Sequence, residues 1–369
     1  MLKIREHCKR FLSKVPPFFI VAFGLGFVSF LLHISFYISS SFADGFNLTV
    51  ASFLRELFAR ISSLFPFSLA EALILLLLPL FAAALIYGIA LKDGAKQTRF
   101  LCFLLSFILL LYSSFVLTFA SGYRGSTLDR KMGIERSAVS DEELYDTALW
   151  LIDELEELSP QIQSDAEGAT VMPFSFDEMT EEIRDSYDSL RKKYGFIPCS
   201  TGKAKPIAMS RAMSYTRILG VYTFFSGEAN VNTNFNDFST VFTTAHEMAH
   251  QRGFAREDEA NMMAFLVCTH SDAPYLRYAG HFEMLRYVLS ALSSSGSMYY
   301  AEAWYRMPDV ARADQAVYAA RFAPYRESVV GNVSGAVNDA YLKLQGTEGE
   351  KSYGLVVDLA VALYRAEYR

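Results

Sequence analysis

The distribution of apolar and charged positions divides the chain into two parts. Up to about residue 121 the apolar residues form long uninterrupted blocks, and from Tyr123 onward they are interleaved with charged residues, as in a folded water-exposed domain. Three intervals carry no charged residue: between Lys14 and Asp44, between Glu71 and Lys92, and between Arg99 and Arg124. Each interval provides the ~20 residues that cross a bilayer. The pattern therefore predicts an anchor over 1–121 with membrane-spanning helices at about 16–40, 70–91 and 100–121.

A shorter amphipathic pattern lies between the first two spans. Apolar residues from Phe46 to Phe65 recur at helical spacing, and Arg55, Glu56 and Arg60 fall elsewhere on the helical wheel. The pattern predicts a helix over about 46–65. It suits two positions equally, one in the membrane interface and one packed beneath the folded domain.

The basic residues indicate how the spans are oriented. They precede the first span and occupy the short second loop, at Lys3, Arg5, Lys9, Arg10, Lys14, Lys92, Lys96 and Arg99. The positive-inside rule places both groups in the cytoplasm. The first span is too long for a typical cleaved signal peptide. We therefore expect a multi-pass cell-membrane protein with a cytoplasmic N-terminus and an extracytoplasmic domain over 122–369.

This second part reads as mainly α with a small sheet. Capping boxes at Ser140 with Glu143 and at Ser175 with Glu178 begin helices at about 141–158 and 176–194. Further helical patterns cover about 240–251, 257–270, 274–293, 309–323 and 355–367. Strand patterns are confined to 218–225 and 229–235.

Composition excludes several kinds of partner. The formal net charge is −6 and the second part has no Lys/Arg-rich stretch, which argues against a nucleic-acid partner. The chain has no Walker-type loop and no G-x-S-x-G, so neither nucleotide binding nor serine hydrolase chemistry is indicated. Cys199 and Cys268 are the cysteines of this part, and either one disulfide or two buried thiols fits them.

The residues that indicate chemistry are His246, Glu247 and His250, in the pattern H-E-x-x-H. Two histidines four positions apart on a helix lie on one face, so both imidazoles can bind one zinc ion. The zinc lowers the pKa of a bound water toward ~7, and the adjacent glutamate accepts its proton as the water attacks a carbonyl. The pattern therefore predicts zinc ligands at His246 and His250 and a general base at Glu247.

A zinc site with one position open for water needs a third protein ligand. Gly253 is expected to end the histidine helix and turn the chain back into a second helix, which opens with Glu257, Asp258 and Glu259. We assign the third ligand to Glu257 and keep Glu259 as the alternative. Asn261 lies one turn beyond Glu257 and is expected to hydrogen-bond a ligand histidine.

These motifs resemble known families. H-E-x-x-H followed by a helix carrying E-x-x-x-D/N is similar to the gluzincin class of zinc peptidases, in which that helix supplies a glutamate ligand. More closely, the chain resembles an uncharacterised bacterial family with three N-terminal spans, in the stretches Gly220-Val221-Tyr222, Gly227-Glu228-Ala229-Asn230 and 250–261. The likeness extends to Ser352-Tyr353-Gly354. It implies a zincin-like α+β domain, although Asn261 stands where many gluzincins have aspartate.

Three further side chains are weaker candidates. The segment from Tyr222 to Asn234 precedes the histidine helix, as the substrate-aligning edge strand does in zincins. Within it, Glu228 either contacts a substrate amine or lies on the surface. Tyr278 and His281 follow the glutamate helix and either donate to the oxyanion or are ordinary packing residues.

The leading functional hypothesis is a membrane-tethered zinc peptidase that acts on a peptide or protein substrate outside the cytoplasm. The alternative is a non-catalytic zincin-like sensor or a structural partner in a membrane complex. Glu247 favours the enzyme, because a binding module does not need a general base.

Overall fold

The computed structural model describes residues 15–349, 351 and 354–368. The basic residues expected before the first span, and Ser352 and Tyr353, lie outside the described residues. The N-terminal part contains α1 (Pro17–Ile38), α2 (Ser40–Phe46), a π-helical turn (Asn47–Ala51), α3 (Ser52–Ser62), α4 (Leu69–Ala90) and α5 (Gly94–Thr118). The helices α1, α4 and α5 are long and apolar enough to cross a membrane. They correspond to the three predicted spans.

The helices α1 and α5 pack along each other. The position of Gly26 on α1 faces the side chain of Leu109 on α5, where a Cβ atom would lie 2.7 Å from a leucine methyl. His33 Nδ1 lies 3.1 Å from the hydroxyl of Tyr112, which gives the imidazole a polar contact between the two helices. Most of the remaining surface of these helices is apolar and exposed, as lipid contact requires.

The amphipathic segment of 46–65 occupies one of its two predicted positions, because one of its faces packs beneath the folded domain. On α3, Arg55 and Ala59 are buried beneath the folded domain, where the backbone of Ala59 lies against Gly227. Phe53, Leu57 and Ile61 form the opposite face and are exposed. One face of the helix therefore packs under the domain, and the other remains available to the membrane interface.

The domain itself is helical around a small sheet. Its helices are α6 (Leu128–Met132), α7 (Asp141–Leu158), α8 (Phe176–Lys193), α9 (Ser210–Met213), α10 (Asp237–Gln251), α11 (Glu257–Thr269), α12 (Pro274–Ser294), α13 (Tyr299–Arg306), α14 (Asp309–Phe322), α15 (Val329–Leu344) and α16 (Val356–Tyr368). Its strands are β1 (Ala204–Pro206), β2 (Gly220–Thr223) and β3 (Glu228–Val231). They form a mixed sheet in the order β1-β3-β2, in which β3 is parallel to β1 and antiparallel to β2.

The helix α10 lies at the centre of the domain. It packs against β2 and β3 on one side and against α11 and α12 on the other. Every residue from Phe238 to Gln251 is buried, so polar side chains on this helix are held in a largely dry environment. Gly253 follows it with φ of +91°, a backbone conformation that glycine adopts without strain. The chain can therefore reverse within five residues and begin α11.

Both predicted capping boxes are present, at the start of α7 and of α8. The N-cap residue of α10 is Asn236, and the carboxylate of Asp237 accepts the N–H of Met172. The helix α15 is not predicted from the sequence. That helix contains Gly331, Gly335 and several valines, whose low helix propensity obscures the pattern.

One buried arginine joins the anchor to the domain. Arg55 donates from Nη1 to the Oδ1 of Asn47 (2.8 Å) and to the carbonyl of Thr118 (2.6 Å). Its Nη2 donates to the carbonyls of Asn47 (3.0 Å) and Arg252 (3.3 Å). Thr118 ends α5 and Arg252 caps α10, and carbonyls at helix ends lack partners within their own helix. The guanidinium therefore fixes the end of the third long apolar helix to the end of the histidine helix.

Candidate metal centre

The two histidines of α10 direct their Nε2 atoms to the same point. His246 and His250 are separated by one helical turn, and their rings lie at right angles with centroids 4.6 Å apart. Each Nδ1 is already engaged, by the Oδ1 of Asn261 (2.7 Å) for His246 and by the carbonyl of Phe254 (2.6 Å) for His250. Because both partners are oxygen atoms, the neutral form of each imidazole would keep its proton on Nδ1, so Nε2 is the atom of each ring that can bind a ligand.

The third donor comes from the first residue of α11. The Oε2 of Glu257 lies 3.2 Å from the Nε2 of His246 and 3.5 Å from the Nε2 of His250. The three donor atoms all lie within 4.8 Å of one another. Tetrahedral ligands at zinc bond lengths of about 2.0–2.1 Å are separated by about 3.3 Å. The Glu257 distances match that spacing, so the residues present fit a tetrahedral metal ion.

Two carboxylate oxygens at this site are buried and make no hydrogen bond of acceptable geometry with the described residues: the Oε2 of Glu257 and the Oε2 of Glu247. Buried polar atoms without partners are uncommon in folded proteins and require an explanation. A metal ion would engage the first, and a water molecule or a substrate would engage the second.

The carboxylate of Glu247 is placed by the edge strand. It is 4% exposed and accepts a hydrogen bond from the backbone N–H of Tyr222 in β2. Gly220 lies directly against it, because a Cβ atom there would approach the Oε1 of Glu247 to 2.5 Å. The absence of a side chain at position 220 is what allows the strand to pass this close.

The charges of the site are strongly coupled. Burial raises the pKa of Glu247 to about 7, although His246 and His250 act in the opposite direction. Burial alone would lower the pKa of His250, but the carboxylates of Glu257 and Glu247 outweigh it and raise that pKa to about 9. Burial alone would raise the pKa of Glu257, but the two histidines hold it well below its usual range. Glu257 therefore remains ionised, as a metal ligand must be.

The donors lie in a cavity of about 690 Å³. Its walls come from α5, the segment leading into β2, α10, α12 and α15, including Phe119, Tyr123, Arg217, Tyr222, Glu283, Tyr287, Gly335, Asn338 and Tyr341. The ring of Phe119, at the end of the third apolar helix, lies 5.8 Å from the ring of His250. The candidate metal centre therefore lies directly against the end of the third long apolar helix, α5.

The strand β2 has an edge that does not pair with the sheet. The carbonyl of Leu219 accepts the N–H of Asn232 at 2.8 Å, so the main-chain groups of alternate residues from Leu219 face β3. In antiparallel pairing the intervening residues, Gly220 and Tyr222, point their main-chain groups the other way. This edge borders the cavity. Of the segment predicted to align a peptide, only β2 has this placement, because β3 is the central strand.

The structure does not bring Tyr278 or His281 to the cavity. The hydroxyl of Tyr278 is buried and donates to Asp314 at 2.8 Å. The Nδ1 of His281 engages the carbonyl of Arg277, and its ring packs on Trp150 and Phe265. The oxyanion role predicted for them does not fit these positions. Both residues occupy the face of α12 that is turned away from the metal donors.

Glu228 is neither on the surface nor in the cavity, so both roles predicted for it are wrong. It is 1% exposed, and it accepts the backbone N–H groups of Leu69 and Ala70 at the start of α4. Its carboxylate also pairs with the ammonium of Lys205 at 2.6 Å. Acidic groups stabilise helix N-termini, so Glu228 stabilises the start of the apolar helix α4.

The remaining acidic residues of α11 are also structural. Glu259 accepts the N–H of Leu128 at 3.0 Å and pairs with Arg256 at 2.9 Å, so it does not join the donor set. Asp258 pairs with Arg136 at 3.0 Å. Cys199 and Cys268 are both free thiols.

Sequence reasoning missed the tyrosines that do reach the cavity. Tyr287 lies on α12 one turn beyond Glu283, and Tyr341 lies near the end of α15. Burial raises the pKa of Tyr341 to about 12, and the charge of Glu257 contributes to the increase. Burial also raises the pKa of Tyr287. Both hydroxyls therefore stay protonated at neutral pH and are available as hydrogen-bond donors.

Comparison with known proteins places the chain in a family. A family described as "Protein of unknown function (DUF3810)" matches residues 46–361. The chain belongs to the DUF3810 family. The DUF3810 match begins at the amphipathic segment, contains α4 and α5, and includes every member of the candidate metal centre. No curated protein and no solved structure matches the chain.

Proposed function

We propose that this chain is a membrane-anchored zinc peptidase of gluzincin type that hydrolyses peptide bonds outside the cytoplasm. The observation that carries the proposal is one arrangement of four side chains. His246, His250 and Glu257 present three donors within 4.8 Å of one another, with Glu257 at tetrahedral spacing from both histidines, and the buried carboxylate of Glu247 lies beside them.

The donor set suits zinc. Two imidazole nitrogens and one carboxylate oxygen are its usual ligands in metallopeptidases, and three protein ligands leave one position open. Bound zinc supplies a Lewis acid that polarises a carbonyl group and lowers the pKa of water. Asn261 and the Phe254 carbonyl hold the two imidazoles in the tautomer that binds metal.

Glu247 is the proposed general base. Its pKa of about 7 lies close to neutral pH, where a carboxylate can both accept a proton and release it. The Tyr222 N–H and the absence of a side chain at Gly220 fix its position against β2. Its free oxygen faces the cavity, where it would take a proton from the attacking water and pass it to the leaving amine.

The cavity also offers groups to hold an extended peptide. At the edge of β2 that does not pair with the sheet, the main-chain groups of Gly220 and the carbonyl of Tyr222 would provide hydrogen bonds to the substrate, as in strand addition, while the Tyr222 N–H serves Glu247. The hydroxyls of Tyr287 and Tyr341 are the donors that we assign to the carbonyl oxygen as it gains negative charge. They replace Tyr278 and His281 in that role.

The proposed location follows from the anchor. The start of α4 contacts the domain through Glu228, and the end of α5 contacts it through Arg55, so the loop between them lies at the far end of both helices. That loop carries Lys92, and Lys96 lies in the first turn of α5 beside it. Basic loops remain in the cytoplasm, which places the domain on the opposite side of the membrane.

The test uses the full chain purified in detergent. We expect about one zinc ion per chain and cleavage of members of a mixed peptide library. Glu247→Gln should keep the zinc and lower the rate by about 10²- to 10⁴-fold, the usual contribution of a general base. The matched control is Glu142→Gln, which neutralises an exposed carboxylate on α7 and should change neither property.

Each alternative result has a definite meaning. Full hydrolysis by Glu247→Gln would exclude that residue as the base. A wild-type chain that does not bind zinc would exclude the metal centre. Stoichiometric zinc without cleavage of any library member would favour the alternative, a non-catalytic sensor or structural partner.

A further inference from the structure

The outward face of α15 has the composition of a membrane-contacting helix. Ten of its residues are exposed. Seven of these are aliphatic: Val329, Val330, Val333, Ala336, Val337, Ala340 and Leu344, and an eighth, Tyr341, is 37% exposed at the border between this face and the cavity. The other two are Asn332 and Lys343, and the ammonium of Lys343 is paired with Asp339 at 2.6 Å. Water-facing helices are normally polar on their outer side, and a contiguous apolar surface of this kind marks an interaction site.

The C-terminal end of α15 touches the outer ends of the membrane helices. The ring of Tyr341 packs edge-on against Phe115 of α5 with centroids 6.4 Å apart, and its hydroxyl lies 3.2 Å from that of Tyr123. Just beyond the helix, Gly346 lies against the guanidinium of Arg124, which covers the ring of Tyr37 at the end of α1. This end of α15 is therefore level with the ends of α1 and α5.

The other end of α15 rests on a segment that is itself held to α4. Arg217 donates to the Oδ1 of Asn332 at 2.9 Å, and the helix packs on the turn Ser214–Thr216. A few residues earlier, the N–H groups of Ala208 and Met209 donate to the carboxylate of Glu71 in the first turn of α4. The helix is about 24 Å long. One of its ends is therefore connected to the ends of α1 and α5, and the other is connected to the start of α4.

A neighbouring face of the same helix forms a wall of the metal cavity. Gly331, Ser334, Gly335 and Asn338 line the cavity, one position along from exposed residues such as Val330, Val333 and Val337. One residue along a helix corresponds to a rotation of about 100°. The helix thus turns one side to the metal donors and an adjacent side outward, beside the exposed apolar surface of α1 and α5.

We propose that α15 lies on the bilayer leaflet next to the domain, with its apolar face among the lipid headgroups and upper acyl chains. The bilayer is the occupant because the face is continuous with the apolar surface of the membrane helices. The cavity then opens at the membrane surface. If the chain is the peptidase proposed above, its substrate is a polypeptide anchored in the same bilayer, and the bond that it cleaves lies in the segment next to the membrane.

The placement is tested by fluorescence quenching on the full chain in phosphatidylcholine nanodiscs that hold one copy each. Val333→Cys and Val337→Cys, in a chain whose four native cysteines are replaced by serine or alanine, carry an environment-sensitive dye, and quenchers are attached to lipid acyl chains. We expect strong quenching at both positions. Met298→Cys is the matched control, an apolar residue that is 84% exposed just before α13, and it should be quenched little. Ile86→Cys, on α4, is the positive control.

Quenching at positions 333 and 337 no stronger than at position 298 would overturn the proposal. A dye that is shielded only when two copies share a disc would also overturn it, because a second copy would then cover the face. These results do not depend on hydrolysis. Failure of the peptidase assay therefore leaves the placement of α15 testable.

The substrate class is tested with one cleavable peptide, supplied either free or attached to a lipid in the same nanodisc. We expect the lipid-attached form to be cleaved at least about tenfold faster, because tethering raises the local concentration at the cavity. Val333→Asp with Val337→Asp should keep cleavage of the free peptide and lose this preference, whereas Met298→Asp should keep both. Equal rates for the two substrates in the wild-type chain would refute the assignment of substrate.

Discussion

Adding one methyl group at position 220 should disable Glu247 and leave the metal ligands in place. A Cβ atom on Gly220 would lie 2.5 Å from the Oε1 of Glu247, and 2.7 Å from both its Cγ and the Cγ2 of Thr243. Ordinary contacts begin at 3.4 Å. The carboxylate must therefore move by about 0.9 Å, and because Glu247 is buried on α10, it cannot swing into solvent.

The expected effect on catalysis follows from that displacement. A misplacement of about 1 Å in a reacting group costs roughly 100-fold in rate, which corresponds to about 2.7 kcal/mol of activation free energy. The three atoms nearest to the added methyl group belong to Glu247 and Thr243 and not to His246, His250 or Glu257, so zinc binding should persist. We therefore expect Gly220→Ala to lower kcat/KM by about 100-fold while the zinc content stays near that of the wild type.

The assay measures zinc content and peptide cleavage on the same preparation of full-length protein. Gly195→Ala is the matched control, because an added Cβ there has no atom within 4 Å. It should leave both measurements unchanged. Wild-type cleavage by Gly220→Ala would refute the proposed role of β2 in placing the base. Loss of zinc in that variant would show that the strand supports the ligands instead.

Three other predictions concern the third metal ligand, the contact that Arg55 makes between the N-terminal helices and the domain, and the pH dependence of stability. Glu257→Ala should weaken zinc affinity, measured by chelator competition, more than Glu259→Ala, and the reverse order would transfer the third ligand to Glu259. Arg55→Met should lower the unfolding temperature by several degrees in a thermal scan. Each buried carbonyl that loses its hydrogen bond from Arg55 reduces the free energy of unfolding by roughly 1–3 kcal/mol. Arg60→Met, at an exposed position of the same helix, should change that temperature little. An equal decrease in both variants would contradict the proposed role of Arg55 in connecting α5 to α10. In metal-free protein the folded state raises the pKa of Glu247 from 4.5 to about 7, so its contribution to stability is present below pH 4.5 and is lost as pH rises to about 7. Glu247→Gln should flatten the fall in unfolding temperature over that range, and an unchanged slope would refute the assignment.

Local geometry explains which predictions from the sequence succeed. The i,i+4 spacing of His246 and His250 sets both side chains on one helical face, whatever surrounds the helix. Glu257 and Asn261 have the same spacing on α11, and in the structure they reach the donor set together. The three apolar helices are equally local, since their length and lack of charge are properties of continuous segments.

Helical periodicity also explains why Tyr278 and His281 were wrongly placed. The pattern of α12 predicts a helix, but that helix is buried on several sides, so periodicity does not show which side faces the metal. The contacts of α10 and α11 with α12 decide that Glu283 and Tyr287 point into the cavity.

Glu228 illustrates a different limit. Its position beside a strand that precedes H-E-x-x-H suggested a role with substrate, whereas its partners are Lys205 and the N-terminus of α4. A buried carboxylate needs charge or hydrogen-bond partners, but the sequence does not say which distant segment supplies them.

The sequence by itself determined the elements whose cause is local: the long apolar helices, the capped helices and the two i,i+4 pairs that contain the three candidate metal donors and Asn261. The tertiary structure alone decided that Phe119 meets His250, that Gly220 passes against Glu247 and that α15 walls the cavity. The physical reason is that periodicity follows from the backbone geometry of one segment. Contacts between segments depend instead on how the whole chain buries its apolar surface, which no single stretch of sequence specifies.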